Sequence, residues 1–185
     1  TYYRGSGGIA RIPPGSIPTP ERNTMTAAAI LEGLSKSKLA VELNDEERRV
    51  LAQAMSLRDL KQGEVLIQEG SADDHLYVVV NGVLAVVKDA GGDGEVTLNA
   101  IRPGNVVGEL SFLDGATRYA SLVALSDTQV LGLSRADLEG LLETQPKVVY
   151  HVMRAIVRVV HEIQRRLSMQ TAELTNYLYK THGRY

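Results

Sequence analysis

Between Gly63 and Leu133 the apolar residues gather into short runs: GEVLIQEG, HLYVVV, GVLAVV, EVTLNAI, YASLVAL and TQVLGL. Each has the length of a strand and is rich in Val, Leu and Ile. Turn-forming residues separate them: Lys61-Gln62-Gly63, Asn81-Gly82, Ala90 to Gly94, Arg102-Pro103-Gly104 and Asp114-Gly115. Asn81-Gly82, standing between two runs, predicts a tight β-hairpin. Many short strands in succession predict a sandwich or small barrel rather than a parallel sheet.

The flanks follow a helical period instead. AAAILEGL predicts a short helix capped by Thr24 or Thr26. NDEERRVLAQAM predicts a stronger one over 44–55. Asn44 can cap it, Asp45, Glu46 and Glu47 suit its positive end, and Val50, Leu51, Ala54 and Met55 share a face. After Ser134, SRADLEGLLETQ carries a serine cap and apolar Leu138, Leu141 and Leu142, and Pro146 opens a further helix. In that helix Val152, Ile156, Val160, Ile163, Leu167 and Leu174 follow three- and four-residue steps, interrupted at Gln170. Helical to Tyr179, it would be roughly 50 Å long at 1.5 Å per residue. One small domain cannot cover such a seam, so part of it is expected to meet another subunit. Residues 1–24, rich in Gly, Pro and Ser, predict a flexible arm. The expected organisation is that arm followed by one domain over 25–185, with a β-roll over about 58–133 and C-terminal helices over about 134–180.

Composition narrows the function. A net charge of −2 and a pI near 6.1 give no basic field for nucleic acid. The absence of cysteine removes disulfide scaffolds, thiolate metal sites and cysteine nucleophiles. No apolar run is long enough to span a bilayer, and the first residues lack the apolar centre of a secretory signal. A soluble, cytoplasmic protein without a membrane partner is expected. His75, His151, His161 and His182 are not spaced as a metal set on the strands, and no nucleophile stands beside a base. Neither a metal site, a cofactor nor an enzyme is expected.

The chemistry concentrates in GELSFLDGATRYAS, 108–121. Gly108 follows strand-like Asn105-Val106-Val107 and lets the backbone approach a ligand closely. Leu110 to Leu113 can form one helical turn whose free amides suit an anion. Beyond the Asp114-Gly115 turn the chain folds back, so Arg118 can reach the same anion. Glu109 beside it can accept from neutral hydroxyls. Amides and an arginine for a phosphate, with a carboxylate for a sugar, describe a nucleotide site.

This segment resembles the phosphate-binding cassette of cyclic nucleotide-binding domains, the family of catabolite activator protein and the regulatory subunits of protein kinase A. Gly108, Glu109, Leu110, Ser111, Arg118, Ala120 and Ser121 match its pattern, and the likeness runs from about Leu39 to the C-terminus. The resemblance implies a mainly β fold with flanking helices, a double-stranded β-helix or jelly roll ending in a long helix. It implies that Arg118 pairs with the cyclic phosphate, that Glu109 accepts the ribose 2′-hydroxyl, and that amides near Ser111 and Tyr119 add donors. Two positions depart from the family: Thr117 precedes the arginine where proline is frequent, and Tyr119 follows it where a small residue is usual. The threonine that some cGMP-preferring members carry there is absent, which tilts the expected ligand from cGMP toward cAMP. Gln164 lies where the family's long helix covers the base and could read an adenine edge. Arg165-Arg166 reads as a solvated face. Only 18 residues follow Leu167, too few for the helix-turn-helix of the transcription-factor branch, so no DNA partner is expected. The implied protein is a cyclic nucleotide-sensing regulatory module, homodimeric through its C-terminal helix and relaying the signal through it. The alternative is a structural or interaction scaffold with a vestigial pocket.

Overall fold

The computed structural model describes residues 27–91 and 94–182, with side chains to Tyr177. The predicted arm and both threonine caps lie outside the described residues. A helix α1 (Ala27–Ser35), a 3₁₀ turn (Lys38–Glu42) and α2 (Asp45–Ala54) lead into the β region. Asn44 caps α2 as expected, within a full capping box: its side chain accepts from Glu47 N, and Glu47 accepts from Asn44 N, both at 2.9 Å.

Eight described strands follow: β1 (Ser56–Leu60), β2 (Val65–Ile67), β3 (His75–Asn81), β4 (Leu84–Asp89), β5 (Glu95–Ile101), β6 (Val106–Val107), β7 (Ser121–Ala124) and β8 (Thr128–Ser134). They form two antiparallel four-stranded sheets, ordered β1-β8-β3-β6 and β2-β7-β4-β5. This is the expected jelly roll. The first sheet is covered on both faces. Leu76, Val78, Leu131 and Leu133 face the helices, while Tyr77, Val79 and Val130 face the second sheet. Burial on both sides explains why HLYVVV reads as an unbroken apolar run without alternation.

The expected Asn81-Gly82 hairpin is not formed. β3 and β4 belong to different sheets, and the dipeptide carries the chain from one to the other. Gly82 has φ +78°, and a Cβ there would meet Asp127 O at 2.5 Å, so glycine is needed for a close crossing rather than for a hairpin. Val83 N donates to Thr128 Oγ1 at 3.2 Å and holds the crossing against β8. The hairpin is β4–β5, paired from Leu84↔Ile101 to Asp89↔Glu95 and closed at Ala90 and Gly94. β1 is an element the apolar runs did not disclose, because its buried Leu57 and Leu60 are three apart and break the alternation.

A short helix α3 (Glu109–Asp114) interrupts the strands. After β8, Ser134 caps α4 (Arg135–Glu139), which is shorter than the sequence predicts: it stops at Gly140, and Leu142 is left exposed. The last helix, α5 (Pro146–His182), begins at the proline as expected. Its first half is core, with Val148, Val152, Ala155, Ile156 and Val159 buried. Polar contacts tie the same half to the N-terminal helices, a hydrogen bond between His151 Nδ1 and Glu47 Oε1 at 2.9 Å and an ion pair of Arg154 with Glu42 at 3.2 Å. From Gln164 to Tyr177 every side chain is exposed. The predicted seam is therefore divided, with Val152 and Ile156 facing inward and Leu167 and Leu174 outward.

Candidate nucleotide-binding site

A cavity of about 440 Å³ opens between the strands, α3 and α5. Gly108, Glu109, Leu110, Ser111, Arg118, Tyr119 and Ala120 all line it. Gln164 does not. It borders a neighbouring groove between Leu110 and α5, and the face that α5 turns to the cavity is Ile163, Arg166, Leu167 and Gln170. The periodicity of α5 explains the change: the cavity residues are spaced i, i+3, i+4, i+7, and Gln164 falls on the adjacent stripe. Arg166, read from sequence as solvated, is exposed yet reaches the cavity wall.

Arg118 is buried to 4% exposure and is held from several sides. Its backbone N donates to Ser71 O at 2.9 Å, and its O accepts from Gly70 N at 2.7 Å. Nη1 donates to Gly108 O at 2.8 Å, and Nη2 donates to Asp73 Oδ1 at 2.8 Å and to His75 O. Nε is buried without a partner among the described residues. Gly108 is required twice over: its φ is +85°, and a Cβ would meet Arg118 Nη1 at 2.6 Å.

Asp73 is the functional neighbour that sequence reading missed. Besides Arg118 it accepts from His75 N at 2.7 Å and from the Tyr77 hydroxyl at 3.2 Å. Burial pushes its carboxyl up, but the bonds from His75 and the Arg118 guanidinium outweigh that and hold it well below the usual carboxylate range. Burial, together with the Asp73 charge, pushes the Tyr77 hydroxyl up. The separation of 45 positions between Asp73 and Arg118 leaves no local signal of this pair. Only the DDH turn before β3 marks a carboxylate at a strand end. Asp73, Asp74 and His75 also bring ligand atoms within 4.8 Å of one another, a grouping the histidine spacing did not anticipate. Asp73 is already engaged by Arg118 in that group.

Glu109 opens α3, and its carboxyl is raised by burial, against the opposing pull of its own and Gly108's amides and of Arg118. In α3 the first amide returned to the chain is Phe112, which donates to Gly108 O at 3.1 Å. The amides of Leu110 and Ser111 precede it, at the end where a helix leaves donors free. Tyr119 is exposed at the rim, its ring 5.5 Å from Lys88 Nζ and its carbonyl accepting from the same amine at 2.8 Å. Ser121 faces away, accepting from Glu69 N at 2.9 Å, and so supports the cassette structurally. The site has donors and a buried cation at the cassette, a carboxylate beside them, and aliphatic walls from Ile67, Val86 and Leu122.

A jelly roll with a cassette helix, a buried arginine and a long helix along one cavity defines a binding module for a small anionic ligand with an apolar part. The chain belongs to the cyclic nucleotide-binding domain family, whose family model matches residues 57–145. It is 31% identical to the crystal structure of a cyclic nucleotide-binding domain from Methylobacillus flagellatus, with TM-score 0.67, covering 76% of this chain and 79% of that one. It is 28% identical to the cyclic AMP receptor protein of Thermus thermophilus over 80% of this chain and 65% of that protein. It is 29% identical to the cAMP-dependent protein kinase regulatory subunit of Blastocladiella emersonii over 62% of this chain and 28% of that subunit. The chain thus spans less than two thirds of the length of these two relatives. Among the described residues no helix is long and apolar enough to cross a membrane.

Proposed function

We propose that this chain is a cytoplasmic cAMP-binding regulatory module that works as a homodimer and relays occupancy through α5. The observation that carries the reading is the convergence of Gly108, Glu109, Leu110, Ser111 and Arg118 on one cavity. The cassette amides and the Arg118 Nε take the cyclic phosphate, and Glu109 takes the ribose hydroxyl. The base lies against the aliphatic walls. Two of the relatives carry cAMP in their names, which supports adenine as the base. The relay follows from the shared wall: Ile163 and Leu167 of α5 line the cavity, so a ligand that prefers the covered cavity biases the position of α5.

A scaffold with a vestigial pocket is favoured by one observation, that Nη1 and Nη2 of Arg118 already have internal partners. Thermal unfolding with and without cAMP separates the two readings. A ligand at 100 times its dissociation constant adds about 2.7 kcal/mol to apparent stability. An unchanged melting temperature at millimolar cAMP supports the scaffold and removes the sensor.

A further inference from the structure

Arg165-Arg166-Leu167-Ser168-Met169, on the second half of α5, places two arginines three and two positions before a serine and an apolar residue directly after it. That is the substrate pattern of arginine-directed protein kinases, whose acidic clefts take the guanidinium groups and whose apolar pocket takes the residue after the acceptor. Ser168 is the one serine or threonine of the sequence with arginine at both positions. Ser121 has Arg118 three positions before it, but both are buried, and Ser121 accepts from Glu69 N.

An ordinary solvated helix face would pair these charges along the helix. Glu162 stands three and four positions before the two arginines, the spacing at which a carboxylate and a guanidinium meet. It pairs with Lys38 instead, and neither arginine has a hydrogen bond or ion pair among the described residues. The Ser168 hydroxyl is likewise without a partner among them, and Leu167 and Met169 on either side are exposed. Ser168 also stands outside the apolar steps of α5. A kinase reads its substrate as an extended segment, so this turn of α5 has to open. Among the described residues Ile163 is the last of α5 that packs against the core. Helix beyond that point, held by no core contact, opens at little cost.

We infer that Ser168 is a phosphorylation site for an arginine-directed protein kinase, and that its phosphate lowers the affinity of the neighbouring cavity for an anionic ligand. In the transfer Ser168 Oγ attacks the γ-phosphorus of ATP. The new Oγ–P bond forms as the bond to the β,γ-bridging oxygen breaks, ADP leaves, and the hydroxyl proton passes to a carboxylate of the kinase. The product carries about −1.5 to −2 charge at neutral pH. Ser168 borders the same groove as Glu109 and Leu110, so the new charge enters beside the Glu109 carboxylate and opposes an anion at the cassette. The site itself stands without the cyclic nucleotide reading, and its effect on affinity rests on that reading.

The test incubates the folded full chain with the catalytic domain of an arginine-directed serine kinase, Mg²⁺ and ATP, maps the phosphate by mass spectrometry, and titrates the product with cAMP. Wild type should carry its phosphate at Ser168, and Ser168→Ala should lose that incorporation. Arg165 does not line the cavity and serves as the recognition control. Arg165→Ala should lower kcat/KM for phosphorylation about tenfold or more, the loss of one hydrogen-bonded charge. Phosphorylated wild type should bind cAMP roughly fivefold or more weakly than unmodified protein, the lower end of coupling between two sites. Ser168→Ala treated in the same way should keep its affinity. Phosphate on other residues with Ser168 bare, or transfer to Ser168 only after urea unfolding, overturns the site. Full phosphorylation of Ser168 with unchanged cAMP affinity overturns the regulation. Unmodified protein that binds no cAMP overturns the cyclic nucleotide reading, and the phosphate map still decides the site.

Discussion

Asp73 Oδ1 lies 2.8 Å from Arg118 Nη2, and this carboxylate, not the adjacent Glu109, is the ion-pair partner of the cassette arginine. The two acids therefore divide the work. Asp73 fixes the guanidinium from behind, leaving Nε as its donor without a partner among the described residues. Glu109 is left without an ion pair among the described residues and is available to a neutral hydroxyl. A rigid, partly compensated cation suits a ligand that carries a single negative charge.

Arg118→Ala is expected to weaken cAMP binding by about 2–5 kcal/mol, the usual result of deleting one partner of a desolvated charge pair. That is roughly thirtyfold to several thousandfold in affinity. Isothermal titration checks it, with circular dichroism as a control for folding, since the mutation also leaves Asp73 uncompensated. Wild-type affinity in a folded Arg118→Ala protein would remove Arg118 from the site.

The Asp73 pair makes a prediction about pH. Its folded carboxyl titrates below the unfolded range, so its contribution is fully present above about pH 4. The contribution is lost as pH falls through the depressed folded value. Asp73→Asn should destabilise the protein by about 1.5–3 kcal/mol at pH 7, the range for a hydrogen bond to a charged group. The gap from wild type should narrow below about pH 4. Urea unfolding at pH 7 and pH 3 measures both, and a gap that stays constant would assign the loss to something other than the ion pair.

Much of this was legible because local rules and global structure agree. Asn44, Ser134 and Pro146 start their helices where capping and proline geometry place them. The GELS…R pattern brought seven residues to one cavity, because a glycine, a one-turn helix and a return strand are local events. What escaped was tertiary. The sheet to which a strand belongs is invisible in Asn81-Gly82, since a φ-positive glycine serves a crossing as well as a hairpin. Asp73 meets Arg118 only when β3 and the cassette pack together. The choice between Gln164 and Arg166 depends on the rotation of α5 about its axis, which the buried Val152 and Ile156 fix from the other end of the helix.

Glu109→Gln should weaken binding less than Arg118→Ala, because an amide still accepts from a hydroxyl though less strongly than a charge. Burial raises the Glu109 carboxyl, so the ionised acceptor is present above that raised value and lost as pH falls through it. Wild-type affinity should decline on acidification in that window, and the Glu109→Gln protein should lack that decline. A 2′-deoxy nucleotide should bind wild type poorly and lose little more in the mutant. Losses that simply add would place the ribose elsewhere.

An exposed stripe along α5 defines the final prediction. Tyr150, Met153, Val157, Val160, Leu167 and Leu174 recur at three- and four-residue steps, and Gln164 and Thr171 occupy the intervening positions of the same stripe. Tyr150, Val157, Leu167 and Leu174 are 59%, 49%, 56% and 65% exposed, whereas Val152 and Ile156 of the seam expected from sequence are buried in the core. The stripe has the heptad spacing of a two-helix interface, with Gln164 as a polar position that can set its register. We therefore predict a homodimer paired along this stripe near a twofold axis. Val157→Glu combined with Leu174→Glu should raise the dimer dissociation constant more than a hundredfold, since each places an unpaired carboxylate in the interface at a penalty of several kcal/mol. Neither residue lines the cavity, so a change in nucleotide affinity would report on helix pairing and not on a damaged pocket. Sedimentation at tens of micromolar gives the oligomeric state, and a monomeric wild type would refute the dimer. If the double mutant is monomeric and binds cAMP more weakly, α5 couples pairing to the pocket. If it is monomeric with wild-type affinity, the dimer stands and the relay through α5 falls.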